Sequence, residues 1–348
     1  MRKQMFRMSR EEATALLARA PFVRLASTTA EGAPVLRALN AAILDGRVVF
    51  HGAPVGEKTE ALGREAVVSA EEIVASIPSY FVDPERACPA TTLYRSVQVH
   101  GAIEVVADAR DKARALAALL AKHQPEGGFE PVAHDHPLYA KTLESLLVFS
   151  VSLEKMDGKA KLAQNRTAQE QRKIVERLWR RGEPGDAFAA FEVAHANRAM
   201  PLPDFMRAPS ELRLDLGRAT DAEACAELLA EAYWNDRSSR DEVVCAHRAS
   251  TAWIVAREGE RVVASARAIS DGAKYAWVYD VIVAPDWRGK RVGDAVMRLL
   301  LDHPAVRGAR FVKLGTRDAM AFYARMGFVE TRELPPRPYA STEMVRVR

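Results

Sequence analysis

The chain has 348 residues, 48% hydrophobic and 28% charged, with a formal net charge of +4. That length exceeds one ordinary core and implies two domains, while so mild a charge suits anionic ligands and gives no ground for nucleic-acid binding. No apolar run approaches membrane-spanning length, and three widely spaced cysteines, Cys88, Cys225 and Cys245, exclude a disulfide framework and point to a reducing cytoplasm.

The first twenty residues begin basic but lack an apolar stretch long enough for a signal peptide. Ser9 and Glu12 have the spacing of a capping box, and Leu16, Leu17 and Ala20 follow on one helical face. The period then changes. Phe22–Thr28, Ala33–Gly46 and Arg47–Gly52 read as a strand meander with turns at "EGA" and "LDGR". Gly56–Glu65 is predicted as a short helix, and the segment after it as another strand. Leu93–Asp108 alternates longest, with Gly101 marking a bulge or a close backbone approach. "DARDKARALAALLAKHQ" is predicted as a helix and "LLVFSVSLEKMDGKAKL" as a hairpin. Many strands with few helices indicate a small antiparallel barrel.

Helix dominates from "TAQEQRKIVERLWRRG" onward. Pro201, Pro203 and Pro209 then mark a linker with little backbone pairing. Beyond it the predicted order is helix (222–234), helix (240–249), strands (252–257, 261–269, 276–284), helix (293–302), strand (310–315), helix (318–326) and a terminal strand. This is a mixed α/β layer, unlike the first half.

The strand, proline, basic turn and helix of "VYDVIVAPDWRGKRVGDAVM" resemble the acetyl-CoA loop of GNAT N-acetyltransferases. "DAMAFYARMGF" is similar to that family's last helix, and "EAYWNDRSSRDEV" to a substrate-side loop. The resemblance covers about residues 212–348. It implies that the strand edge Val281, Ile282 and Val283 holds the pantetheine arm. It also implies that Arg288, Gly289, Lys290, Arg291, Val292 and Gly293 hold the pyrophosphate on backbone N–H groups and nearby positive charge. Tyr323 falls where the family places the tyrosine that protonates the thiolate, and Asp280 is the candidate base. Two residues depart from the pattern: Arg291 replaces a glycine, and Thr316 an asparagine.

"PVLRALNAAILDGRVVFHGAPVGEK" resembles the cofactor segment of the pyridoxamine 5′-phosphate oxidase-like split barrel, over about residues 9–170. The resemblance implies FMN, with Arg37 and Lys58 on its phosphate and Ser96 and Gln98 of "RSVQVHG" near its ring. "GKAKLAQNR" resembles the ending of a flavin-binding branch. His51, in "VVFHGAP", and His100 raise haem as a rival cofactor. His134 and His136 lack an evident third ligand, so no metal site is expected.

The fold expected is α+β: an antiparallel split β-barrel with flanking helices over residues 1–198, a linker at 199–211, and a GNAT mixed α/β domain over 212–348. The function expected is a bifunctional, cytoplasmic acetyltransferase acting on a small amine. Its flavin-type, oxidoreductase-like barrel is expected to form a homodimer. The rival is a regulatory protein whose barrel senses a cofactor without turnover; the colour of the purified protein separates the two.

Overall fold

Ser9 does cap the first helix: its hydroxyl accepts from Glu12 N at 3.1 Å and its N–H donates to Glu12 Oε2 at 2.8 Å. The computed structural model describes residues 4–55, 59–335 and 344. They fall into two units, Met1–Leu178 with Pro184–Pro201, and Trp179–Glu183 with Leu202–Arg348.

In the first unit α1 (Arg10–Arg19) precedes β1 (Val23–Thr28), β2 (Pro34–Leu39), β3 (Ala42–Leu44), β4 (Arg47–Gly52), β5 (Glu65–Ile77), β6 (Thr91–Ala102) and β7 (Glu104–Val106). Then come α2 (Ala109–His123), α3 (Ala140–Ser145), β8 (Leu147–Ser152), β9 (Lys155–Lys161), α4 (Ala168–Arg181, whose residues from Trp179 count with the second unit) and α5 (Asp186–Ala196). The turn expected at "LDGR" joins β3 to β4, with Asp45 and Gly46 both at positive φ, 47° and 71°, as a tight hairpin requires. Two antiparallel sheets form, ordered β2-β1-β5-β6-β9 and β3-β4-β8-β7. Their shared core includes Leu16, Leu17, Leu25, Phe50, Val68, Val97, Val99, Phe149 and Val151.

Alternation alone misassigned two features here. The hairpin expected over residues 146–162 does not exist. β8 pairs with β4 and β7, and β9 pairs with β6, so the chain passes from one sheet to the other at Leu153–Glu154. The long alternating stretch likewise changes sheets between β6 and β7. Gly101 sits before that crossing, where an added Cβ would lie 3.3 Å from Val151 Cγ1, so the close approach is real. Gly158 is tighter still: a Cβ there would lie 2.8 Å from Ala13 Cβ and 2.9 Å from Met8 Cβ, which lets α1 lie directly on β9. The helix expected at 56–65 is a run of turns over its described part, residues 59–64.

The second unit contains β10 (Arg213–Leu216), α6 (Ala222–Leu228), α7 (Arg240–Arg248), β11 (Ala252–Glu258), β12 (Arg261–Ser270), β13 (Tyr275–Val283), α8 (Val292–Asp302), α9 (Pro304–Arg307), β14 (Phe311–Lys313) and α10 (Met320–Ala324). The sheet runs β10-β11-β12-β13-β14, antiparallel except for the parallel pair β13–β14. Residues of α6 and α7 pack on Trp253 and Val255. Ile254 and Ala256 point the other way and are also fully buried; α8 packs on β11, β12 and β13.

Several expected bounds contract. The first helix ends at Leu228 rather than Trp234, followed by a 3-10 turn at Tyr233–Asn235. The last helix spans Met320–Ala324, and the strand before it Phe311–Lys313. The expected terminal strand lies largely outside the described residues; Thr331–Glu333 is a 3-10 turn. The proline-rich segment is better held than its composition suggests. Met206 is buried, and Arg298 donates to the carbonyls of Asp204 and Arg207 at 2.8 and 2.7 Å.

Candidate functional site

The register of β13 places the site. β14 pairs with it only at Tyr275↔Phe311, Ala276↔Val312 and Trp277↔Lys313. From Val278 to Val283 the strand keeps β12 on one side and has no strand partner on the other among the described residues. That opening lies next to a backbone irregularity. Between Arg267↔Tyr279 and Ser265↔Ile282, β13 carries one residue more than β12, and Asp280 adopts φ 53°. This is a β-bulge, which re-aims the strand.

Asp280 is buried and engaged at both oxygens. Arg267 Nε donates to Oδ2 at 2.5 Å, and Trp234 Nε1 to Oδ1 at 3.1 Å. The carboxylate thereby ties the bulge to β12 and to the loop before α7. Sequence reasoning passed over Arg267 and Trp234 individually, although Trp234 lies in the quoted "EAYWNDRSSRDEV". Tyr233 beside it accepts a hydrogen bond from Arg317 N at 3.1 Å, and the Arg317 guanidinium lies 3.6 Å from its ring centre.

β13 feeds α8 through Pro285–Trp287, Arg288, Gly289 and Lys290. Gly289 sits at φ 74°, and Arg291 at φ 62°, ψ 16°, the left-handed region. No side chain caps α8. The first N–H with an acceptor within the helix is Ala295, bonded to Arg291 O, which leaves the amides of Val292, Gly293 and Asp294 at the positive end of the helix dipole, whereas Arg288 N donates to Pro285 O at 3.3 Å. Arg288 Nε donates to Val283 O at 3.1 Å, and Lys290 Nζ lies 4.6 Å from the Trp287 ring centre. Gly293 has ordinary φ; its need is space. A Cβ there would stand 3.3 Å from Phe322 Cζ and 3.6 Å from Val283 Cγ2, so glycine brings α8 against α10 and the strand edge.

Tyr323 is half-buried between Phe322 and Phe328, at ring distances of 5.0 and 5.9 Å. Burial, reinforced by Tyr233 and Asp318, pushes its hydroxyl up to about 12. It is protonated at neutral pH, as an ordinary tyrosine is, and the shift makes it a weaker acid. Thr316 accepts from Ala319 N at 3.1 Å, which starts α10.

The sites expected in the first unit do not converge within one chain. Arg37 pairs with Leu25, which pairs with Val68, which pairs with Val99, so Arg37 lies on the core-facing side of its sheet. Gln98 pairs with Ser69, which pairs with Arg24; it and Ser96 lie on the outer side. Lys58 falls outside the described residues. His51 is exposed on β4, and His100 is exposed on β6 in the other sheet. His134 lies 3.8 Å from Asp135, and His136 accepts from Leu138 N at 3.3 Å. Among the described residues no group of three or more His, Cys, Asp or Glu could hold a metal ion.

Residues 9–160 match the pyridoxamine 5′-phosphate oxidase family, and residues 221–328 the acetyltransferase (GNAT) family. The chain joins these two domains. A curated relative, the chloroplastic GCN5-related N-acetyltransferase 1 of Arabidopsis thaliana, is 32% identical over 93 residues. That match covers 26% of this chain and 47% of the relative, so the chain spans about half the relative's length. Among solved structures, the FAD and heme binding protein of Mycobacterium smegmatis is 21% identical over 44% of this chain and 71% of its own, with a TM-score of 0.38. The flavocytochrome Anf3 of Azotobacter vinelandii is 20% identical over 45% and 69%, TM-score 0.38. A GNAT-family acetyltransferase of Streptococcus pneumoniae is 23% identical over 38% and 99%, TM-score 0.31. The opened strand, the α8 turn and Tyr323 all fall within the GNAT domain.

Proposed function

We propose that the GNAT domain moves the acetyl group of acetyl-CoA to a small amine. The observation that carries this reading is the parting of β13 from β14 beside the uncapped start of α8. The edge Val281–Val283 suits the amide-bearing pantetheine arm. The N–H groups from Gly289 to Gly293 suit a pyrophosphate, with Lys290 and Arg291 adding exposed positive charge. As the amine nitrogen bonds to the acetyl carbon and the C–S bond breaks, Tyr323 gives its proton to the departing thiolate and the amine proton passes to solvent. Asp280, whose oxygens already serve Arg267 and Trp234, acts here as a positioning residue rather than the base expected from sequence. Tyr323→Phe keeps the ring and removes the donor. Turnover, followed as thiol release, is expected to fall roughly 10²–10⁴-fold with acetyl-CoA affinity nearly intact; unchanged turnover would discard the role.

For the oxidase-like domain we infer cofactor binding within a homodimer, with the domain boundary at 199–211. Leu36 and Ile73 are 67% and 75% exposed on the outer side of the five-stranded sheet, the side that also carries Ser96 and Gln98, which supports burial of that side against a second copy. The described FMN residues of one chain stand on opposite sides of a sheet, so no step is routed through a flavin or a haem. Free Cys88, Cys225 and Cys245 suit a cytoplasmic setting. No described helix is long and apolar enough to cross a membrane. Flavin absorption in the purified protein, lost on Arg37→Ala, tests FMN; a Soret band lost on His51→Ala would replace it with haem.

A further inference from the structure

The motif "GKAKLAQNR" is left over by the acetyl-transfer reading, and it is built with unusual care. Past the end of β9, Ala163 adopts φ 66°, unfavourable for a residue with a Cβ. The conformation is held from both sides. Leu162 N donates to Gln164 Oε1 at 2.7 Å, and Gln164 Nε2 to Ala160 O at 2.9 Å. The buried Gln171 donates to the carbonyls of Ala163 and Arg166, both at 3.1 Å, and the buried Asn197 to Leu162 O at 2.8 Å. Strain held this firmly usually serves a site.

What the turn does is aim side chains. Lys161, Asn165 and Arg166 line a cavity of about 290 Å3, room for roughly ten waters. Ile77, Leu93 and Ile174 also belong to the lining, but each is almost fully buried and gives the cavity little surface, so its exposed lining is mainly polar. Lys161 donates to the Thr91 hydroxyl, also in the lining, and sits 6.0 Å from the Tyr94 ring centre; no carboxylate pairs with it among the described residues. Arg166 donates to Pro89 O at 3.2 Å and forms a long ion pair with Glu170 Oε1 at 3.9 Å, while Glu170 Oε2 accepts from Thr167 N and Oγ1 at 2.8 and 2.9 Å. The cavity therefore carries two cationic side chains, of which Lys161 has no carboxylate partner among the described residues.

We propose that this cavity binds a small organic anion, a carboxylate or phosphate monoester. Lys161 takes the charge, with Arg166 beside it in the lining. The proposal does not depend on acetyl transfer. Its test is calorimetry on the full chain with phenyl phosphate, benzoate and the uncharged benzyl alcohol. Binding of either anion but not the alcohol is expected; which anion binds assigns phosphate or carboxylate. Lys161→Met should weaken it at least about tenfold, the loss of a charge-assisted bond. Lys159→Met, one step along the strand and outside the lining, should leave it unchanged, and thermal melting verifies that both variants fold. Absence of heat with both anions, equal binding by the folded Lys161→Met variant, equal binding of the alcohol, or displacement of the anion by FMN would overturn the proposal.

Discussion

Arg291 offers a perturbation whose effects on stability and on binding point in opposite directions. It stands at φ 62°, ψ 16° with its side chain 85% exposed and a long ion pair to Asp294 at 3.8 Å. Holding a residue with a Cβ there costs about 1 kcal/mol or a little more. Glycine removes that strain but enlarges the unfolded ensemble, an offset of about 0.4–1 kcal/mol. The exposed contact with Asp294 contributes close to nothing. Arg291→Gly should therefore stabilise the folded chain by about 0.5 kcal/mol, raising the second unit's melting temperature by about 1–2 °C. Arg291→Ala retains the strain and should melt unchanged. Both variants lose the charge beside the pyrophosphate, so each should bind acetyl-CoA several-fold more weakly, an effect of about 1 kcal/mol. Scanning calorimetry and titration calorimetry on the two variants measure each quantity separately. A glycine variant that melts lower than wild type would refute the strain argument, and unchanged affinity in both would remove Arg291 from the binding surface.

Two further outcomes follow from packing and burial. His303, buried and accepting from Ala305 N at 3.2 Å, is driven down to about 4 mainly by burial, with Arg307 adding to it. A depressed value means stability present above pH 6.5 and lost as pH falls toward 4, roughly 3 kcal/mol over the full swing; His303→Asn, which can still cap α9, should flatten this acid limb in denaturant titrations, and an unaltered limb would assign it to other groups. Gly158→Val forces a side chain into the 2.8 Å gap to Ala13 and should destabilise the first unit by about 2–3 kcal/mol in urea, whereas a variant as stable as wild type would show that α1 does not rest on β9.

Much of the local structure was legible because its causes are local. The Ser9–Glu12 box and the Asp45–Gly46 turn are each set by a few adjacent residues, and both form. Pairing was not legible. Residues 147–161 alternate as a hairpin would, yet the two halves join different sheets, since alternation records a buried side and not the strand across from it. The same limit hid the separation of Arg37 from Gln98, which depends on counting register through β1 and β5. In the proposed acetyl-transfer site the turn and Tyr323 could be named from their motif. The tether at Asp280 could not, because Arg267 and Trp234 reach it from 13 and 46 residues away in sequence. Gly293 was expected to hold the pyrophosphate through its backbone N–H; the space its missing Cβ leaves is bounded by Phe322 and Val283.

Binding of acetyl-CoA to the full chain, measured by titration calorimetry with Gly293→Glu as the companion variant, tests the central claim most directly. The added carboxylate would meet both Phe322 and the ligand's pyrophosphate at the start of α8. The wild type should bind one acetyl-CoA per chain, and a variant shown by its melting curve to be folded should not bind. A folded wild type with no heat of binding, or a folded variant that binds equally well, would contradict the assignment of the opened β13 edge and the α8 turn as the acetyl-CoA site.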